Sequence, residues 1–224
     1  MLESAFSAKQ AGSLVVGGLD VLSEIQSAAV NAVVWRRSIP ESLAGYLALE
    51  AARGFGDCEQ TGRPGQLQLD PLVALLAPSP VRAAFLDDLM RLSALLEGLV
   101  GRAECKATLL HQRKIRCPKF HSDFVALRLL CTYVGPGTEI VPESAVNRRA
   151  LQQQHACLDS ANQAIVPKDE DLLAVGAGDV VLLKGENWPG NRGRGAVHRS
   201  PEEDFKRGRV TYCVTVSTLE NVLV

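Results

Sequence analysis

Apolar side chains recur every three or four residues in the stretch that follows Ser79 and Pro80. This is the spacing of an amphipathic helix that buries one face, and Gly98 or Gly101 would end it. The positions are Val81, Phe85, Leu89, Leu92, Leu95, Leu96 and Leu99. A second helix is predicted from the Ser-Ile-Pro-Glu run at 38–41 to about Arg53, because serine before an early proline is typical of a helix start. We therefore expect residues 1–100 to form a mainly helical region that supports the rest of the chain.

The pattern changes after Gly101 to short runs of β-branched, aromatic and leucine residues separated by turns that contain glycine or proline. Such runs predict strands, and no long helical pattern alternates with them, so a jelly roll or barrel is favoured over a parallel α/β sheet. The polar stretch 142–168 is predicted as a long loop. The fold class is then α+β, with a strand-rich core at 101–224, and we expect the whole chain to form one compact domain. The predicted strands are 106–111, 119–124, 126–134, 171–175, 179–183, 196–199 and 209–217, with a further short one at 31–35.

Composition and charge exclude several classes of function. The 224 residues have a formal net charge of −1, which gives no global field to attract nucleic acid or an acidic membrane. No stretch approaches the roughly 20 apolar residues of a membrane span, and the first residues lack the pattern of a signal peptide. The six scattered cysteines are expected to be reduced thiols. We expect a soluble, cytoplasmic protein with a small-molecule partner.

His121 and Asp123 are the strongest candidates for chemistry. In an extended strand, residues i and i+2 leave the same face, so an imidazole and a carboxylate could bind one ion together. His198 is the preferred third ligand over His111 and His155. Two histidines and one carboxylate that leave open positions are the ligand set of non-haem Fe(II) oxygenases, although the same three side chains can hold zinc.

The last predicted strand suggests an anion site beside this metal. Its polar residues alternate with apolar ones, which places Arg209 and Thr211 on one face. A guanidinium binds carboxylate oxygens through two donors and stays charged, so the pair suits one end of a dicarboxylate. Arg207 and Arg128 are the rival cations, and Tyr133 is a candidate for the cavity wall.

The order His121-x-Asp123, His198 and Arg209-x-Thr211 resembles the 2-oxoglutarate/Fe(II) dioxygenase superfamily over about residues 101–218. The resemblance implies a double-stranded β-helix (jelly-roll, cupin-like) core, with iron held by the first three residues and 2-oxoglutarate by the last two. The phrases around His121, Tyr133 and His198 more closely resemble a bacterial family catalogued as domain of unknown function 1826, over about residues 33–216. Two departures from the superfamily pattern are the acidic run 202–204 and a Gly-Pro-Gly in place of Gly-Gly at 135–137.

Two functional hypotheses follow from these residues. The first is an oxygenase that uses Fe(II) and 2-oxoglutarate to hydroxylate a substrate. The second is a non-catalytic jelly-roll protein that handles or senses a metal, in which the same three ligands hold zinc or iron.

Overall fold

Two β-sheets and a layer of helices make up the fold in the computed structural model, which describes residues 13–168, 172–202 and 208–219. The strands are β1 (Ser13–Gly17), β2 (Val30–Trp35), β3 (Cys58–Gly62), β4 (Cys105–Gln112), β5 (Leu127–Val134), β6 (Glu139–Ile140), β7 (Leu173–Ala174), β8 (Val180–Lys184), β9 (His198–Arg199) and β10 (Arg209–Val216). The α-helices are α1 (Glu41–Arg53), α2 (Asp70–Val73), α3 (Pro80–Val100), α4 (Arg148–Leu151) and α5 (Leu158–Ile165). Short 3-10 helices lie at Leu19–Gln26, Pro64–Gln66 and Glu143–Ala145.

The large sheet has seven strands in the order β1-β2-β8-β5-β10-β4-β3, and the small sheet has three in the order β7-β6-β9. Only the edge pair β1 and β2 is parallel among the described strands, and the other pairs are antiparallel. The structure is therefore a mixed α+β fold with a large, mostly antiparallel sheet.

Helices cover one face of the large sheet, as the apolar spacing predicted. The Ser79 side chain accepts a hydrogen bond from the Val81 N–H at the start of α3, which satisfies one of the unpaired donors of the first turn. The helix ends at Gly101, whose φ of 62° suits a residue without a Cβ. The buried face of α3 packs into the main hydrophobic core through Phe85, Leu89, Leu92 and Leu96.

The opposite face of the large sheet looks toward the small sheet. Alternation along β10 sends Val210, Tyr212, Val214 and Val216 into the core beneath the helices. The intervening residues Arg209, Thr211 and Cys213 line a cavity between the sheets. A second apolar cluster joins the sheets beside this cavity, and it includes Val34, Ile140, Val175, Val181 and Leu183.

Two predictions of local structure are wrong. Residues 119–124 form no strand but a loop with a single bridge between His121 and His198, because Pro118 has no N–H and the Phe120 N–H donates to the Asn162 side chain. The polar stretch 142–168 is not one loop, since it contains α4 and α5. These helices bury Ala150, Ile165 and Val166 against Phe120, Val141 and Val197.

The first 100 residues contribute strands as well as helices. β1, β2 and β3 belong to the same sheet as the strands after residue 100, so a boundary near residue 100 stays a prediction. The polar strand β3 pairs with β4 at the sheet edge. Among the described residues, no helix has the length and apolar character needed to cross a membrane.

Candidate metal centre

The structure brings His121, Asp123 and His198 together at one end of the space between the sheets. Their potential ligand atoms all lie within 4.8 Å of one another. The His198 Nε2 atom is 3.4 Å from Asp123 Oδ2, and the His121 Nε2 atom is 3.8 Å from Asp123 Oδ1. The two imidazole rings lie side by side with centroids 4.5 Å apart. The bridge between the two histidine backbones places them there, rather than the i, i+2 geometry of a strand.

Backbone carbonyls orient both imidazoles. His121 Nδ1 is 2.8 Å from the Lys119 carbonyl oxygen, and His198 Nδ1 is 3.1 Å from that of Ala196. A carbonyl oxygen only accepts, so each Nδ1 carries the proton and each Nε2 presents its lone pair toward Asp123. Burial lowers the pKa of His198 to about 4, although the Asp123 carboxylate acts in the opposite direction. The imidazole is therefore neutral at physiological pH, as a metal ligand must be.

The donor set fits a divalent transition metal. Two ligand atoms that are each 2.0–2.2 Å from one ion can stand at most about 4.4 Å apart. Both imidazole–carboxylate distances are within this limit, and the bound of 4.8 Å on the whole set exceeds it by only a few tenths of an ångström. Asp123 Oδ2 is buried and accepts no hydrogen bond from the described residues. Arg128 Nη1 lies 2.8 Å from it as an ion-pair partner, without the alignment of a hydrogen bond. A carboxylate oxygen in this position has a coordination site to offer.

A cavity of about 170 Å³ extends between the sheets from His121 and His198. Arg209 and Thr211 both line it, as do His121 and His198. The Arg209 guanidinium donates to the Pro136 carbonyl oxygen at 2.8 Å, to Gln112 at 3.1 Å and to the Thr132 hydroxyl at 3.2 Å. Burial lowers its pKa to about 10, so it remains a cation at neutral pH.

Of the other two candidate residues, Arg128 lines the cavity and Tyr133 does not. Arg128 lines the cavity, but its guanidinium pairs with the Asp123 carboxylate. Tyr133 faces the helices, because residues of opposite parity on β5 point to opposite faces of the sheet. Its hydroxyl donates to Asp88 at 2.5 Å and its ring packs edge-to-face on Phe85. Tyr133 is therefore not a wall of the metal cavity, and the rival Arg207 is outside the described residues.

The Tyr133 hydroxyl belongs to a buried ion-pair network on the helix side. Arg37 donates to both oxygens of Asp88, at 2.6 and 2.8 Å. Burial alone would raise the pKa of Asp88, but the hydrogen bonds from Arg37 and Tyr133 outweigh it and lower that pKa below its ordinary value. The network holds the start of α1 and the middle of α3 to the sheet.

A larger pocket of about 440 Å³ lies on the other side of His121. We call it the outer pocket, and its lining includes Lys119, Phe124, Arg148, Glu186 and Arg192. Analysis of the sequence did not identify these residues as site residues. They come from two loops and α4, so no spacing along the chain signals that they meet.

Comparisons with known proteins agree with this geometry. The model of a family described as "Protein of unknown function (DUF1826)" matches residues 18–214. A search of curated proteins found no match. Among solved structures, the dioxygenase for auxin oxidation from rice is similar with a TM-score of 0.52 and 14% identity, covering 95% of this chain and 87% of that one. Dioxygenase for auxin oxidation 1 from Arabidopsis thaliana, in complex with 2-oxoglutarate, has a TM-score of 0.54 and 11% identity, covering 94% of each chain. At these identities the likeness shows a shared fold.

Proposed function

The chain belongs to the DUF1826 family, and from the geometry of its site we propose that it is an oxygenase that depends on Fe(II) and 2-oxoglutarate. The core would be a double-stranded β-helix, formed by the large sheet and the small sheet that faces it. The solved structures of the same fold are dioxygenases, and one of them was determined with 2-oxoglutarate.

One observation carries the proposal: His121 and His198, two of the three clustered potential metal ligands, line the same small cavity as the buried Arg209. A guanidinium in this cavity can donate to a carboxylate, which a 2-oxoglutarate-dependent oxygenase requires and a protein that only holds a metal does not. At about 170 Å³ the cavity is smaller than the ~300–1,000 Å³ of most ligand pockets. It therefore suits a compact co-substrate and leaves a larger substrate to bind elsewhere.

Each residue has a separate part in this scheme. His121 and His198 would bind the metal through Nε2, while their Nδ1 protons stay on backbone carbonyls and fix the ring orientation. Asp123 would supply the third ligand, positioned by the Arg128 guanidinium. Arg209 would hold the distal carboxylate of 2-oxoglutarate with help from the Thr211 hydroxyl. When bound, Fe(II) and 2-oxoglutarate supply the oxygen chemistry that hydroxylates a substrate C–H bond.

The second candidate is a non-catalytic zinc protein, and the presence of two cysteines in the cavity wall favours it. Cys117 and Cys213 both line the cavity, and thiolates are good zinc ligands. Burial raises the pKa of Cys213, which keeps that thiol protonated and weakens its case as a ligand. Neither cysteine belongs to the described group of residues whose potential ligand atoms cluster together, so the oxygenase is the better-supported function.

The two functions are separated by loading the protein with Fe(II) under anoxic conditions and titrating 2-oxoglutarate. An oxygenase should develop a metal-to-ligand absorption band and, on exposure to oxygen, convert 2-oxoglutarate to succinate. Tight metal binding without any response to 2-oxoglutarate would replace the oxygenase with the metal-holding protein. Metal analysis of the protein as purified anoxically gives the iron-to-zinc ratio in parallel.

A further inference from the structure

The outer pocket has the features of a binding site for a small organic anion with an apolar body, and we propose that this is the substrate class. The inference rests on the proposed function and names what the metal centre would act on. The pocket volume of about 440 Å³ is within the usual range for small-molecule sites. His121 lines both this pocket and the inner cavity, so a molecule bound here lies against a ligand of the metal.

Glu186 fixes one wall of the outer pocket. Its carboxylate accepts a hydrogen bond from the Ser122 hydroxyl at 2.6 Å and from the Gly195 N–H at 3.1 Å, and it also accepts from the Gly193 N–H. Ser122 lies next to His121 in sequence, so this carboxylate joins the loop after β8 to the metal-binding loop. Glu186 keeps its negative charge, but the pocket lining also contains three cations, Lys119, Arg148 and Arg192.

The remaining charge in the lining is positive. Arg148 donates hydrogen bonds to both carboxylate oxygens of Glu143. Lys119 and Arg192 have no carboxylate partner among the residues that the structure describes. Three cations against the single carboxylate of Glu186 give the lining a net positive charge, which attracts an anion. Lys119 is held near the metal by its own backbone, since its carbonyl accepts the His121 Nδ1 proton.

An apolar surface lies beside these cations. The Phe124 side chain lines the pocket and is 79% exposed, the most exposed of the large hydrophobic residues in the described chain. Leu151 is a second apolar side chain in the lining. Exposure of the phenylalanine ring to water is unfavourable in free energy. A ligand with an apolar body would reduce this exposure by covering the ring. A molecule that bears both a carboxylate and an apolar body satisfies both parts of the lining.

The experiment uses three probes with one skeleton: 3-phenylpropionate, its neutral amide and 3-phenylpropylamine. Calorimetric titration of the full chain should show the carboxylate binding more tightly than the amide, and the amine most weakly. The Lys119→Gln/Arg192→Gln variant should bind the carboxylate about tenfold more weakly, as expected for the loss of two partly solvated charge contacts. The affinity for the amide should stay within about twofold. Lys106→Gln/Arg63→Gln removes the same two residue types from surface positions away from the pocket and should leave all affinities unchanged.

Proximity to the metal is measured separately. With Mn(II) as the bound ion, the proton signals of 3-phenylpropionate should broaden strongly, and metal-free protein should give no such broadening. Equal binding of carboxylate and amide, no loss in the double variant, or no broadening in Mn(II)-loaded protein would each overturn the inference. Because these walls consist of protein groups alone, binding is expected without metal or 2-oxoglutarate. Failure of the probes with normal 2-oxoglutarate binding therefore refutes only the substrate class, whereas normal probe binding without any 2-oxoglutarate response refutes the oxygenase and with it the substrate role.

Discussion

Replacing Arg209 with lysine tests the co-substrate site most directly. The guanidinium is 4% exposed and is held in place by Pro136, Gln112 and Thr132, at 2.8, 3.1 and 3.2 Å. Lysine keeps the positive charge but has a single nitrogen, which cannot hold three neighbours and present two parallel donors to a carboxylate. The change therefore removes at least one charged hydrogen bond to the bound dicarboxylate.

A hydrogen bond to a charged group contributes about 1.5–3 kcal/mol. The dissociation constant of 2-oxoglutarate should accordingly rise roughly 10- to 150-fold in Arg209→Lys, since each 1.4 kcal/mol is a factor of ten. The assay is an anaerobic titration of Fe(II)-loaded protein, followed through the metal-to-ligand band. Metal affinity should hardly change, because Arg209 contacts none of the three ligands in the described structure.

Arg116→Lys is the matched control for this variant. Arg116 also lines the cavity, but it is largely exposed and pairs with Asp57 at 2.9 Å, so its replacement should alter 2-oxoglutarate binding less than twofold. Equal affinities in wild type and Arg209→Lys would refute the assignment of Arg209 as the anchor. The anchor would then be sought at Arg128, whose guanidinium faces the same cavity.

Two further predictions concern the metal ligands and the buried network on the helix side. His121→Ala and His198→Ala should each lose most of the bound metal. His155→Ala should keep it, because His155 contacts a backbone carbonyl away from the site. Stoichiometric metal in both His121→Ala and His198→Ala would exclude the three-ligand centre. Asp88→Asn should lower the free energy of unfolding by about 3 kcal/mol, since it leaves a nearly buried guanidinium without its charge partner. Chemical denaturation measures the loss, with exposed Asp87→Asn as control. The Asp88 pKa is lowered in the folded state, so the difference between the proteins should be full above about pH 4 and shrink as the pH falls below it.

Sequence periodicity was sufficient where one pattern determined one element. The spacing of apolar residues predicted α3 nearly to its ends, because the serine cap and the terminal glycine mark them. The alternation along β10 likewise separated a core face from a cavity face. The sequence alone therefore placed Arg209 and Thr211 together on the polar face, which lines the cavity. In both cases the residues that determine the element are adjacent in the chain.

Predictions failed where a partner distant in sequence determines the structure. Residues 119–124 have a strand-like composition, but the Asn162 side chain takes the Phe120 N–H and Pro118 has none. Tyr133 was predicted to line the cavity because it is aromatic. The pairing of β5 with β10 instead places Tyr133 on the helix-covered face of the sheet, where its hydroxyl donates to Asp88. The helices α4 and α5 were missed because their apolar residues are few, and the cluster around Phe120 that buries them is assembled from four segments of the chain.

The loop around His121 is determined both by residues near it in sequence and by partners distant in sequence. Its two candidate ligands, His121 and Asp123, are separated by one residue and could be identified from the sequence. Their orientation depends on contacts with three other segments. The His198 backbone pairs with His121, Arg128 on β5 pairs with Asp123, and Glu186 accepts the Ser122 hydroxyl. A loop held at three successive residues can present one imidazole to both the inner cavity and the outer pocket. Under the proposed function, a metal, a co-substrate in the cavity and a substrate in the outer pocket would meet at this single side chain.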